Sequence, residues 1–112
     1  MPFLSIRTNG FCNDELLAEK AAKLVSETLG KPLKVIAVDL HYNAQMAFDG
    51  ACRKKGAWIE LAAVGFADRA RVAEVLTDFA VTQLNVEREL VCVRLIDLQK
   101  QDVAHGGVLL GY

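Results

Sequence analysis

The residue with the most chemistry to offer stands second in the chain. A proline directly after the initiator methionine normally permits Met1 to be removed, which would leave Pro2 with a free secondary amine. Phe3 and Leu4 follow, so that amine would sit at the edge of an apolar pocket. Burial disfavours the charged form of an amine and draws its pKa toward neutrality, where it can act as a general base. The same proline can also do no more than fix the start of a strand, and the dipeptide alone leaves both readings open. Other reactive residue types are sparse. Cys12, Cys52 and Cys92 are odd in number and far apart, which fits neither a disulfide framework nor zinc-ligand spacing, and they read as small buried thiols. His41 and His105 each lack a second ligand at helical or hairpin distance, so no metal site is expected. There is no P-loop, no GxSxG elbow and no GxGxxG, and Gly106-Gly107 reads as a turn.

The elements that must position Pro2 follow from hydrophobic periodicity. Phe3 to Thr8 alternates with Leu4 and Ile6 on one face, which is the period of a strand. Asn13 is placed as an N-cap, with Asp14 and Glu15 where a helix dipole favours acids. Leu17, Ala21, Leu24, Val25 and Thr28 then fall on one helical stripe, and Gly30 with Pro32 supplies the stop. Ile36, Val38, Leu40 and Tyr42 alternate as a second strand. A loop carrying Asp49-Gly50 and the basic run Arg53, Lys54, Lys55 comes next.

The same pattern recurs at an offset of 55 positions: Leu4 and Ile6 become Ile59 and Leu61, Asn13 becomes Asp68, and Ile36, Val38 and Leu40 become Val91, Val93 and Leu95. On the helix, Leu17, Ala21, Leu24 and Val25 become Val72, Leu76, Phe79 and Ala80. Two copies of this length are a duplicated βαβ unit within one domain of residues 1–112, with halves at about 2–42 and 57–97 and a C-terminal segment. The expected fold is α/β, a four-stranded mixed sheet with both helices on one face. Each crossover is right-handed, so each half contributes a parallel strand pair. The opposite face would carry Phe3, Val35, Ala37, Trp58, Ala62, Val64, Leu90, Cys92 and Ile96, with Arg7, Asp39, Glu60 and Arg94 among them. Such a face is rarely left in water, so the chain is expected to form an oligomer with these four charges paired two against two.

Composition narrows the partners. Thirteen basic against fourteen acidic residues give a net charge of -1, with no field to gather phosphates, so nucleic acid is not expected. No apolar run approaches the length that spans a bilayer, and the N-terminus lacks a basic and then apolar leader, so a cytoplasmic protein without a membrane partner is expected. The 53% apolar content agrees with surface buried between subunits.

Pro2 joined to the duplicated unit resembles the macrophage migration inhibitory factor family within the tautomerase superfamily. The matching residues are the opening MPFLSIRTN, the segment LGKPLKVIAVDL, Met46 to Phe48 followed by Gly50, the pair Val64-Gly65, and Asp97 followed six residues later by Val103. They run through nearly all of the chain in order. The resemblance implies a protomer of two βαβ units, three protomers closed into a ring of sheets, and no cofactor.

It further implies keto-enol tautomerisation of a phenylpyruvate-like 2-oxo acid. Pro2 would be the catalytic base and then acid, Lys31 would hold the substrate's carboxylate or enolate oxygen, and the main-chain N–H of Val64 would face the substrate. Lys31 also reads as a cation at a helix C-terminus, and Val64 as a packing residue. Cys92 stands where the family usually has a tyrosine, and Arg94 where it has an asparagine, both positions reaching the site from a neighbouring subunit. Arg94 is either a fork for a carboxylate, suiting a dicarboxylate or small keto acid, or a cation neutralised by Glu60 or Asp39. His105 occupies a position where tryptophan is common. The paired cysteines of some members are absent around Gly56 and Ile59, so thiol-disulfide chemistry is not supported. Two alternatives remain: hydratase, dehalogenase or decarboxylase chemistry on a small acid, and a non-catalytic, cytokine-like trimer.

Overall fold

The alternation that begins at Phe3 becomes strand β1 (Phe3–Thr8) in the computed structural model, which describes residues 1–110. The last two residues of the expected domain, Gly111 and Tyr112, lie outside the described residues. Helix α1 (Leu17–Leu29) and strand β2 (Ala37–Tyr42) complete the first βαβ unit. Strand β3 (Ala57–Ala63), helix α2 (Arg69–Leu84) and strand β4 (Val91–Asp97) make the second. Single 3-10 turns, Leu33–Val35 and Arg88–Leu90, lead into β2 and β4, which takes Val35 and Leu90 out of the strands where alternation had placed them. A hairpin of β5 (Ala104–His105) and β6 (Val108–Leu109) closes on the expected turn at Gly106-Gly107.

The four-stranded sheet has the order β2-β1-β3-β4. Within each unit the strands are parallel, and the two units meet through the antiparallel pair β1–β3, with Phe3 opposite Ala62 and Thr8 opposite Ala57. Leu4 and Ile6 from β1 and Ile59 and Leu61 from β3 are almost wholly buried beneath Leu17, Ala21 and Val25 of α1 and Val72, Leu76, Ala80 and Leu84 of α2. Each large apolar side chain so buried contributes about 1.5–3 kcal/mol. The opposite face is open in the single chain: Phe3 is 47% and Trp58 41% exposed.

The two helices start differently. Asp68 caps α2 as the repeat predicts, its Oδ1 accepting from the N–H of Arg71 at 3.0 Å. Asn13 does not cap α1. Asp14 captures the N–H of Leu16 at 2.9 Å and pairs with Lys20, so a turn forms ahead of the helix, which begins at Leu17 without a side-chain cap. Gly30 ends α1 in the left-handed conformation with its N–H on Ser26 O.

Within the single chain, one pair forms among the four charges expected to pair in the oligomer. Arg94 reaches Glu60 across β4–β3 at 3.1 Å, but Asp39 takes His41, two residues along the same face of its own strand, at 3.0 Å. Arg7 makes no ion pair among the described residues. The thiols also depart from expectation: Cys12 is half-buried, while Cys52 and Cys92 are exposed because one sits in the long loop and the other on the open sheet face.

Candidate functional site

Pro2 precedes β1 and is fully buried. Its carbonyl accepts from the N–H of Ala37 at 3.0 Å. Continuing the β1–β3 register by one residue sets it opposite Ala63, next to Val64. The head of the chain is therefore wedged between the start of β2 and the end of β3. In the chain beginning at Met1, the terminal amine is pushed below the ordinary α-amine pKa, first by burial and then by the nearby charge of Lys31.

Lys31 is delivered by the end of α1. Its N–H donates to Ser26 O at 3.2 Å, and the Ser26 hydroxyl donates to Lys31 O at 2.5 Å. Both backbone groups of Lys31 are thus held by one residue in the last helical turn. Across from it lies the turn Val64-Gly65, where Gly65 at φ +79° takes a conformation that side chains with a Cβ rarely adopt. That turn is fastened to β4, since Gly65 N–H donates to Asp97 Oδ1 at 2.9 Å. The other carboxylate oxygen of Asp97 receives Arg69 Nη2 at 3.3 Å, and the Arg69 guanidinium lies 5.6 Å from the Phe66 ring centroid.

Between these two edges is a cleft of about 250 Å³ lined by Lys31, Val64 and Gly65 and by the first turn of α2, including Asp68 and Arg71. Lys31 and Arg71 make no ion pair among the described residues. The sheet thus brings together the chain terminus, Lys31 and Val64. Cys92 and Arg94 are not part of this group within one chain. They lie on the open face of β4 opposite Trp58 and Glu60, six and four residues before Val64 on β3, or about 20 and 13 Å at strand rise. The Glu60 carboxyl is held below its ordinary pKa, first by the hydrogen bond from Trp58 Nε1 and then by that from Arg94. His105 is exposed on the β5–β6 hairpin and does not line the cleft.

Sequence reasoning did not single out Arg71, and it noted Asp97 without assigning it a role. A partial signal existed for Arg71: it stands three residues after the recognised cap Asp68, which fixes it at the same helix end. Asp97 could be understood only once β4 was seen beside the Val64-Gly65 turn.

The fold and the cleft define a small α/β protein of duplicated βαβ units, with its buried chain head set beside a lysine. The sequence matches the macrophage migration inhibitory factor (MIF) family over residues 1–111, and the chain belongs to that family. Among curated proteins it has no significant match. Its fold is similar to that of macrophage migration inhibitory factor from Oncomelania hupensis, with TM-score 0.88, 22% identity and coverage of 98% of this chain and 83% of that one. It is also similar to that from Trichinella spiralis, with TM-score 0.85, 21% identity and coverage of 96% and 98%. A homologue from Prochlorococcus marinus gives TM-score 0.85 at 19% identity, covering 97% of this chain and 99% of that one. At these identities the likeness concerns the fold. No helix among the described residues is long and apolar enough to cross a membrane.

Proposed function

We propose that this chain is a cofactor-independent tautomerase that interconverts the keto and enol forms of a phenylpyruvate-like 2-oxo acid. The proposal takes residues 1–112 as one domain that works in the cytoplasm as a homotrimer. The observation that carries it is the placement of Pro2: fully buried at the head of β1, opposite the end of β3 next to Val64, with Lys31 close enough to act on the charge of the chain terminus. With Met1 attached, the Pro2 nitrogen is an amide and no base, so removal of Met1 is part of the proposal. The freed Pro2 nitrogen takes a proton from the carbon beside the substrate carbonyl. The charge that develops on the carbonyl oxygen faces Lys31 and the main-chain N–H of Val64, and the proton is returned to oxygen to give the enol. Ketonisation is the reverse.

In the trimer, Cys92 and Arg94 of a neighbouring copy, with His105, complete the pocket wall. The test follows the ultraviolet absorbance of enol-phenylpyruvate with protein whose N-terminus is verified as Pro2 by mass spectrometry. Ketonisation well above the buffer rate is expected. A rate equal to buffer overturns phenylpyruvate as the substrate and moves the weight to a different small acid, hydratase-like chemistry or a non-catalytic role.

A further inference from the structure

The cleft at Val64 has two cationic residues in its lining. Lys31 lines it from the end of α1, and Arg71 lines it from the first turn of α2. Neither is neutralised by an ion pair among the described residues. The single carboxylate in the lining, Asp68, uses Oδ1 to accept the N–H of Arg71 as the helix cap. Among the described residues the lining therefore carries an excess of one positive charge. Arg69, only two residues earlier, is committed to Asp97 and the Phe66 ring. The helix end thus fastens one arginine to the scaffold and offers the other to the cleft.

Two cations contributed by different elements to the lining of a cleft of about 250 Å³ suit a ligand with two anionic groups. A single carboxylate engaged by Lys31 would leave the exposed guanidinium of Arg71, a planar fork with five donors, to water, whereas a second carboxylate on the same ligand matches that fork. Arg94, the residue that the sequence suggested for such a fork, is joined to Glu60 within its own chain. We propose that Arg71 is a substrate-binding residue that selects a dicarboxylic 2-oxo acid, one carboxylate resting on Lys31 and the second on Arg71. This rests on the tautomerase reading of the same cleft.

The test separates recognition from turnover. Succinate and its monoamide, succinamate, match in size and differ by one charge, and calorimetric titration reads their affinities without any reaction. The Pro2-terminated protein should bind succinate more tightly than succinamate. Arg71→Gln should reduce that preference about tenfold, the scale of one charge-assisted hydrogen bond, and Arg71→Lys should recover part of it. In parallel, the ratio of kcat/KM for ketonisation of enol-oxaloacetate to that of enol-phenylpyruvate should fall in Arg71→Gln, mainly through KM for the dicarboxylate. Equal weakening of both ligands, an unchanged preference, or no binding of succinate overturns the proposal. Selective binding that depends on Arg71 without ketonisation of either enol overturns the tautomerase reading and leaves the dicarboxylate site standing.

Discussion

Gly65 donates its N–H to Asp97 at 2.9 Å, so the turn that ends β3 is fixed by the last residue of β4. This places a site wall under the control of a residue that does not line the cleft. Asp97→Ala removes the acceptor and the partner of Arg69 together. Displacing a positioning group by an ångström can cost about 100-fold, and a fall in kcat/KM of about 10- to 100-fold is expected. The bond is exposed, so thermal stability should change little. Asp97→Asn keeps an oxygen for Gly65 and should recover most of the rate. Kinetics of both variants beside their melting curves check this, and a loss of activity that merely tracks a loss of folded protein would contradict it.

A second expectation concerns pH. Burial first, and then Lys31, disfavour the charged form of the Met1 amine, and the proposed function expects the Pro2 nitrogen, itself in a buried residue, to meet the same two influences once Met1 is gone. The base form is the deprotonated one, so kcat/KM should rise as pH passes upward through the amine pKa. Removing the neighbouring cation in Lys31→Ala raises that pKa and moves the rising limb to higher pH. It should also lower the plateau by about 100-fold through loss of the anion-holding group. A pH–rate profile of the two proteins decides; a limb that stays put or moves down would separate Lys31 from the amine.

Much of this arrangement was legible in the sequence because it rests on short periodicities. The stripes of α1 and α2, the strand faces and the cap Asp68 depend on neighbours within a few residues, and the 55-residue offset let one half check the other. The start of α1 was not legible from Asn13, because Asp14 offers a competing side-chain acceptor and wins the local N–H of Leu16. The pairing of Asp39 with His41 rather than Arg7 and the place of Arg71 in the cleft lining depend on side-chain placement after the sheet has formed. No spacing in the chain encodes them.

Asn9 shows how a long loop can be held by one buried side chain. Its amide nitrogen donates to Met46 O at 2.9 Å and Lys54 O at 2.8 Å, with Cys52 O at 3.3 Å sharing a donor, and its oxygen accepts from Gly56 N–H at 3.0 Å. Asn9→Ala would leave several of these groups without partners and should destabilise the fold by about 2–4 kcal/mol. Asn9→Asp should be no better, since it replaces the donor with an oxygen facing three carbonyls. Urea unfolding measures the loss, and hydrogen exchange should show residues 46–56 losing protection first.

Gly56 meets a steric limit at the same place. A Cβ there would stand 2.4 Å from Leu90 O and 2.7 Å from the Phe48 ring, so Gly56→Ala must push the head of β3 away from the backbone leading into β4. Loss of well over 1 kcal/mol is expected, on the scale of an overpacked core. A denaturation midpoint equal to that of the unsubstituted protein would show that the β3–β4 contact is looser than this geometry.

The open sheet face gives the last prediction. Phe3 and Trp58 expose apolar surface on that face, Trp58 opposite Cys92, and about 25 cal/mol per Å² of apolar area makes even a few hundred Å² worth several kcal/mol per subunit. Association is therefore expected, and the homotrimer of the proposed function predicts that sedimentation equilibrium at micromolar concentration returns three times the chain mass. Trp58→Lys places a charge on that face while also removing the donor to Glu60, and should shift the distribution toward smaller species. Arg94→Met tests the charge on the same face without deleting the aromatic surface, and should weaken association less. If the unsubstituted protein sediments as a single chain, the face is solvent-tolerant, and the contribution of Cys92 and Arg94 to a neighbouring site falls with it.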